Sequence, residues 1–233
     1  MPRSVVSWIA LTATLLWPAI GTAQVVVGQS DTFQDGTTQS WTKGAISSIP
    51  PTNVATGGPA GAGDRYMNVT SIGGGGADSK LVFFNQQQWG GGKTYSLLIT
   101  GLSMDLDNLG PTPLTIRVAF QDINFNQYST AGFALPADHV WHHTVFSLTD
   151  ANMTVLSGVQ PFSTALATGI QTVRILHAAS PAFSGDTIAA QLGVDNITAI
   201  SPVPEPGMVL LTAAAAWFAP RAWRRVRGGR PLN

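Results

Sequence analysis

Two short segments carry side chains suited to holding a ligand: Gln86-Gln87-Gln88-Trp89 and Asn124-Phe125-Asn126-Gln127-Tyr128. An aromatic ring offers a platform for the apolar face of a sugar, and neighbouring amides hydrogen-bond its hydroxyls. On that chemistry the ligand-contacting residues are Trp89, Gln88 and Tyr128, with the first segment the preferred site. The competing reading buries them, since a lone tryptophan near a strand sits in the core more often than on a platform. Trp41 and Trp141 are assigned to the core on that ground.

Catalytic and metal chemistry find less support. His139, His142 and His143 are close in sequence, but in an extended strand consecutive side chains point to opposite faces, so His142 and His143 cannot converge. Zinc needs three or four convergent ligands, and these read as strand-face histidines. Glycoside hydrolysis requires two carboxylates across the scissile bond. The only glutamate is Glu205, near the C-terminus. Asp105 and Asp107, two apart on one strand, make a single wall rather than a cleft. No Gly-x-Ser-x-Gly elbow occurs. In Gly90-Gly91-Gly92-Lys93-Thr94, Gln87 stands where the first glycine of a phosphate loop belongs, so the run reads as a glycine turn. The sequence points to a protein that is not an enzyme. Without cysteine it has neither a disulfide framework nor a thiolate metal site.

The elements that must position these residues are almost wholly β. Apolar and β-branched runs alternate with Gly, Pro, Asn and Asp clusters, which predicts strands at Tyr66–Thr70, Lys80–Phe84, Tyr95–Leu106, Leu114–Phe120, Ala131–Leu135, Trp141–Leu148, Thr172–His177 and Ile188–Ile200. Asn152–Ala167 reads as a loop with a short helix. About eight strands in some 180 residues fit one two-sheet antiparallel β-sandwich over residues 24–201. That body holds six Lys and Arg against eleven Asp, although the whole chain has a formal net charge of zero. It has no basic patch interleaved with aromatics, and nucleic acid is excluded as a partner.

The ends of the chain read as export signals. Arg3, an apolar run from Val5 to Ile20 and the small residues Gly21-Thr22-Ala23 make residues 1–23 a secretory signal peptide, with Gln24 as the mature N-terminus. At the other end, Val203-Pro204-Glu205-Pro206-Gly207 precedes an apolar run from Met208 to Phe218 and the cluster Arg221, Arg224, Arg225, Arg227 and Arg230. Residues 202–233 thus resemble the PEP-CTERM sorting tail of Gram-negative surface proteins. The resemblance implies recognition by an exosortase that cuts near the Pro-Glu-Pro motif. As a helix, eleven residues cover only about 17 Å of a roughly 30 Å hydrocarbon core. Extension to Trp223, with Arg221 snorkelling outward, makes a single transmembrane segment marginally long enough. The arginines would then stay cytoplasmic and the body lie outside, in the envelope, at the cell surface or in the extracellular matrix. The alternative is an amphipathic or disordered basic tail.

The body carries a second resemblance. Asp31-Thr32-Phe33-Gln34-Asp35-Gly36-Thr37-Thr38 with Trp41, the strand Trp141-His142-His143, and Gly193-Val194-Asp195-Asn196-Ile197 at the end resemble carbohydrate-binding, galactose-binding-like jelly rolls. The resemblance implies one structural calcium ion at the seam of the first and last strands. Asp31 or Asp35 would meet Asp195 there to supply carboxylate oxygens. The alternative is that Asp35 only forms the Asp-Gly turn and Asp195 caps a strand. The expected function is a non-catalytic polysaccharide-binding surface protein. A matrix or biofilm component without a specific ligand is the first alternative, and a polysaccharide-active enzyme the second.

Overall fold

The computed structural model describes residues 23–201. Residues 1–22 of the expected signal peptide and the whole expected tail, including Val203, Pro204, Glu205 and Pro206, lie outside the described residues. Among the described residues no helix is long and apolar enough to cross a membrane.

Two six-stranded antiparallel sheets face each other. The first runs β11 (His142–Ser147), β7 (Gly101–Asn108), β14 (Ala189–Ile200), β4 (Tyr66–Ile72), β3 (Thr52–Val54), and β2 (Ser30–Asp31) also pairs with β14. The second runs β12 (Met153–Ser157), β9 (Gln127–Thr130), β8 (Leu114–Asp122), β13 (Ile170–His177), β5 (Val82–Asn85), with β10 (Phe133–Leu135) also on β8. A small parallel pair, β1 (Gln24–Val25) and β6 (Thr94–Tyr95), and the helix α1 (Phe162–Thr168) close one end.

The period-2 pattern builds the core. Leu102, Met104 and Leu106 of β7 are buried facing Ile116, Val118 and Phe120 of β8, while Asp105 and Asp107 take the outward positions. Each such side chain contributes about 1.5–3 kcal/mol on full burial. The predicted strand Tyr95–Leu106 is divided into β6 and β7, because Ile99 N–H turns back to the Ser96 carbonyl. The segment Asn124–Tyr128, expected as a loop, donates Gln127 and Tyr128 to β9, and Asn152–Ala167 contains β12 besides the expected short helix.

The glycine run is a turn against β13: Gly91 N–H donates to the Gln171 carbonyl at 2.9 Å and Gly92 N–H to the Ile170 carbonyl at 2.8 Å. A Cβ on Gly90 would stand 2.6 Å from the Gln171 carbonyl oxygen and 2.7 Å from that of Asn85. Both are backbone atoms and cannot swing aside. Gly90→Ala is therefore expected to destabilise the chain by about 1–3 kcal/mol, read as a lower urea midpoint at unchanged slope. An unchanged midpoint would contradict this close approach.

β14 carries the feature that separates the two faces of the first sheet. Its register against β7 shifts between Asp195 and Thr198, and Asn196 there adopts φ 52°, a left-handed conformation that asparagine tolerates. Val194 and Ile197 both point inward as a result, and Asp195 points outward. Beyond the bulge β2 replaces β4 beside β14, with Asp31 opposite Ile197. β2, the strand that carries Asp31, and the last strand β14 do lie side by side, while the first strand β1 pairs with β6.

Candidate functional site

Asp31, opposite the inward-facing Ile197, is turned into the core. The indole N–H groups of Trp41 and Trp89 both donate to its Oδ2, at 2.7 and 2.6 Å, and the Gln88 amide donates at 3.3 Å. Burial pushes the Asp31 carboxyl above its ordinary pKa, and the two indoles and Gln88 pull it back. Three donors around one carboxylate leave it a structural acceptor. Trp89 and Tyr128 were expected at a ligand surface, and both are 0 % exposed. Tyr128 packs on Phe162 with ring centroids 5.1 Å apart and donates its hydroxyl to the Gln160 carbonyl. Neither ring can stack on a sugar. Gln88 is half-buried, its amide spent on Asp31 and the Gln39 carbonyl. The three expected ligand contacts are thus corrected to core and core-lining positions, and Trp41 lies in the core as expected.

The expected calcium ligands do not converge. Asp31 faces the core and Asp195 the outer face of the same sheet. Asp35 accepts from the Thr37 N–H at 2.8 Å and the Thr37 hydroxyl at 2.9 Å, making the turn; these bonds hold its pKa low. Among the described residues no three His, Cys, Asp or Glu side chains are grouped to hold a metal ion. The histidines are engaged singly: His143 Nδ1 lies 2.8 Å from Asp105 Oδ1, and His142 Nε2 lies 3.0 Å from Asp138.

The polar, partly exposed aromatic surface lies instead on the outer face of the first sheet. Thr144 and Phe146 of β11 are buried, so the odd positions face outward and carry Trp141, just before the strand, to that side. Trp141, expected in the core, is only partly buried. It meets Tyr66 edge to face at 5.3 Å and donates its indole N–H to the Gly57 carbonyl at 3.0 Å. Its ring lies across Gly193, where a Cβ would come within 2.9 Å of the ring edge. A lone glycine between Leu192 and Val194 on a strand is the sequence signal for such an approach.

Cross-strand register arranges the rest in rows. Thr52 pairs with Asn68, Asn68 with Gly193 and Gly193 with Asp107, next to Trp141; a second row pairs Asp195 with Asp105 and Asp105 with His143. At about 4.8 Å between strands, the four-strand row extends over roughly 15 Å. Asn196 donates its amide to Asp105 Oδ2 at 2.8 Å, and Gln191 its amide to Asn68. Asp107 Oδ1 and Asp195 Oδ2 are buried without a protein partner, acceptors that an ordered water would satisfy. By contrast, the cavity of about 250 Å³ lined by Gly132, Phe133, Thr144 and Val145 lies at the β10 and β11 edges, and neither Trp141 nor Tyr66 lines it.

Burial, with Asp64 and Asp105 nearby, pushes the Asp195 pKa up to about 7, against its ordinary 3.8. Between these values the folded chain keeps a proton that the unfolded chain releases. Its contribution to stability is therefore complete at low pH, is lost as the pH rises towards about 7, and changes no further above that. Asp107 and Asp31, also raised by burial, act in the same direction, so the diagnostic quantity is a difference. Asp195→Asn should lose a measurable part of the fall in unfolding free energy between about pH 4 and about pH 8. Equal slopes in the two proteins would contradict an ionisable burial at this position.

No protein-family model matches the chain, and no curated protein matches it. Solved structures do. The family 11 carbohydrate-binding module of the cellulosomal cellulase Lic26A-Cel5E of Clostridium thermocellum aligns over 78% of this chain and 99% of its own, at 12% identity and TM-score 0.50. An exo-beta-agarase aligns over 74% of this chain at 10% identity and TM-score 0.53. This chain spans about a quarter of that enzyme, 24% of its length. At these identities the likeness is one of fold: the body has the β-sandwich fold of carbohydrate-binding modules.

Proposed function

We propose that the body is a non-catalytic polysaccharide-binding module, exported and held at the envelope by its tail until an exosortase-type enzyme processes it. The observation that carries the binding reading is the Trp141–Tyr66 pair, partly exposed on an outward face where Asn68, Gln191, Asp105, Asp107 and His143 lie around it. Aromatic rings beside short polar side chains match a sugar, which is apolar on its ring faces and polar at its rim. The body's eleven Asp against six Lys and Arg favour a neutral polysaccharide over an acidic one. The export reading draws on residues 1–23 and 202–233 alone. The non-catalytic reading draws on the lack of glutamate in the body and on Asp105 and Asp107 sharing one strand face.

Affinity electrophoresis of the full chain through gels containing mixed-linkage β-glucan, soluble cellulose derivatives, agarose or alginate tests the proposal. Retardation by at least one neutral polysaccharide, and none by alginate, is the expected result. Unretarded migration in every gel would overturn it and favour the matrix component without a ligand, a reading consistent with the burial of Trp89 and Tyr128.

A further inference from the structure

Turn tips are normally Gly, Pro, Asn, Asp or Ser, yet two neighbouring turns of this protein expose aliphatic side chains, Leu97-Leu98 at the tip of one and Val26 and Val27 before Gly28 in the other. Val26 and Val27 occupy the turn closed by Gln29 N–H on the Val26 carbonyl, and Leu97 and Leu98 the turn closed by Ile99 N–H on Ser96. Leu97 is 84 % and Leu98 68 % exposed, and the two valines are about half exposed. Ser96 N–H donates to the Val25 carbonyl at 2.9 Å, which joins the turns side by side. Both turns also bond to the end of β14: Gly28 N–H donates to the Ala199 carbonyl and Thr100 N–H to the Ile200 carbonyl. The patch therefore surrounds the point where the chain runs on past Ser201. A cavity of about 260 Å³ opens beside Leu97, with Tyr95, Ile99, Leu148 and Leu166 on its apolar walls and Thr100, Asp150 and Ser163 among its polar ones.

The chain that leaves there reaches an apolar run, Met208 to Phe218, followed by five arginines. The few residues between Ser201 and Met208 span at most about 25 Å when extended. Whatever receives the apolar run lies within that distance of Ser201, which follows directly on the β14 residues that both turns bond. We propose that this end of the sandwich seats on the lipid bilayer, with Val26, Val27, Leu97 and Leu98 entering the boundary between headgroups and acyl chains. The inference rests on the reading of the tail as a membrane anchor and adds an orientation to it. The domain stands on its Val26 and Leu97 turns, and the Trp141 face rises along the side of the sandwich, away from the lipid.

The chain has no cysteine, so single labelling sites can be introduced cleanly. Full-length Leu98→Cys and Ile72→Cys proteins, each carrying an environment-sensitive fluorophore, are mixed with phosphatidylcholine vesicles containing a nitroxide lipid and floated on a density gradient. Ile72 is 58 % exposed and pairs with Ala189, at the far end of β14 from Ile200, so it reports the opposite end of the domain. The expected result is flotation of both proteins, with a blue-shifted emission and loss of most fluorescence to the quencher at position 98 only. Flotation with an unquenched, water-like probe at position 98 would overturn the seating and leave the anchor standing. A blue shift at position 98 that the nitroxide lipid does not quench would also overturn it, by identifying a second copy of the chain as the cover. Failure of both proteins to float would overturn anchor and seating together.

Discussion

Trp89→Ala is expected to lower the unfolding free energy by about 3–5 kcal/mol, a large share of the 5–15 kcal/mol that holds a domain of this size folded. The side chain is wholly buried, so its removal leaves a cavity that the sheets on either side cannot close. It also takes away one of the two indole donors on Asp31 Oδ2 and leaves a buried carboxylate with less to neutralise it. Trp89→Phe weights the two effects differently, because it keeps most of the volume and loses the N–H with a small part of the ring. It should cost about 1–3 kcal/mol, the penalty of an unmet buried acceptor. Urea unfolding of the three proteins checks both values. A Trp89→Ala protein as stable as the parent would mean that the indole clamp on Asp31 does not exist.

Trp141→Ala should divide its effects the other way. The ring is partly exposed and packs on Gly193 and Tyr66 rather than in the core, so its loss should shift the urea midpoint only slightly. Polysaccharide binding should fall by about 2 kcal/mol or more, roughly thirtyfold, because a central aromatic platform carries a disproportionate share of such contacts. Affinity electrophoresis alongside urea unfolding reads the two quantities. Full retardation by the alanine variant would remove Trp141 from the binding surface. A protein that loses both stability and binding would show that Trp141 belongs to the core after all.

The contrast between these tryptophans marks how far the sequence could be read. Alternation along the strands was enough to recover most of them, the antiparallel sandwich and the shared face of Asp105 and Asp107. Trp141 was assigned to the core and lies outside it, although a signal was present: Thr144, Phe146 and Leu148 set the inward parity, which sends residue 141 outward, and Gly193 marks the backbone it lies against. Trp89 was not legible in this way. It follows the end of β5, where the Asn85 side chain accepts from the backbone N–H of Gln87 at 2.9 Å and of Trp89 at 3.3 Å and folds the segment inward. No strand period extends through such a loop. Asp31 illustrates a deeper ambiguity, since a buried carboxylate is satisfied equally by a hard cation or by indole N–H groups. Its partners at positions 41, 88 and 89 are brought together only by the tertiary fold. The Asn196 bulge, which sends Asp195 to the face opposite Asp31, likewise depends on where β4 ends and β2 begins.

Three indoles fall within residues 23–201, and their N–H acceptors separate the clamp from the outer face: Trp41 and Trp89 share Asp31, while Trp141 donates to Gly57. Their N–H resonances can be followed one by one as a neutral polysaccharide is titrated into the labelled protein. If the outer face of the first sheet binds sugar, the Trp141 resonance moves in proportion to occupancy and those of Trp41 and Trp89 stay in place. Movement of the Trp89 resonance with Trp141 unmoved would contradict the account.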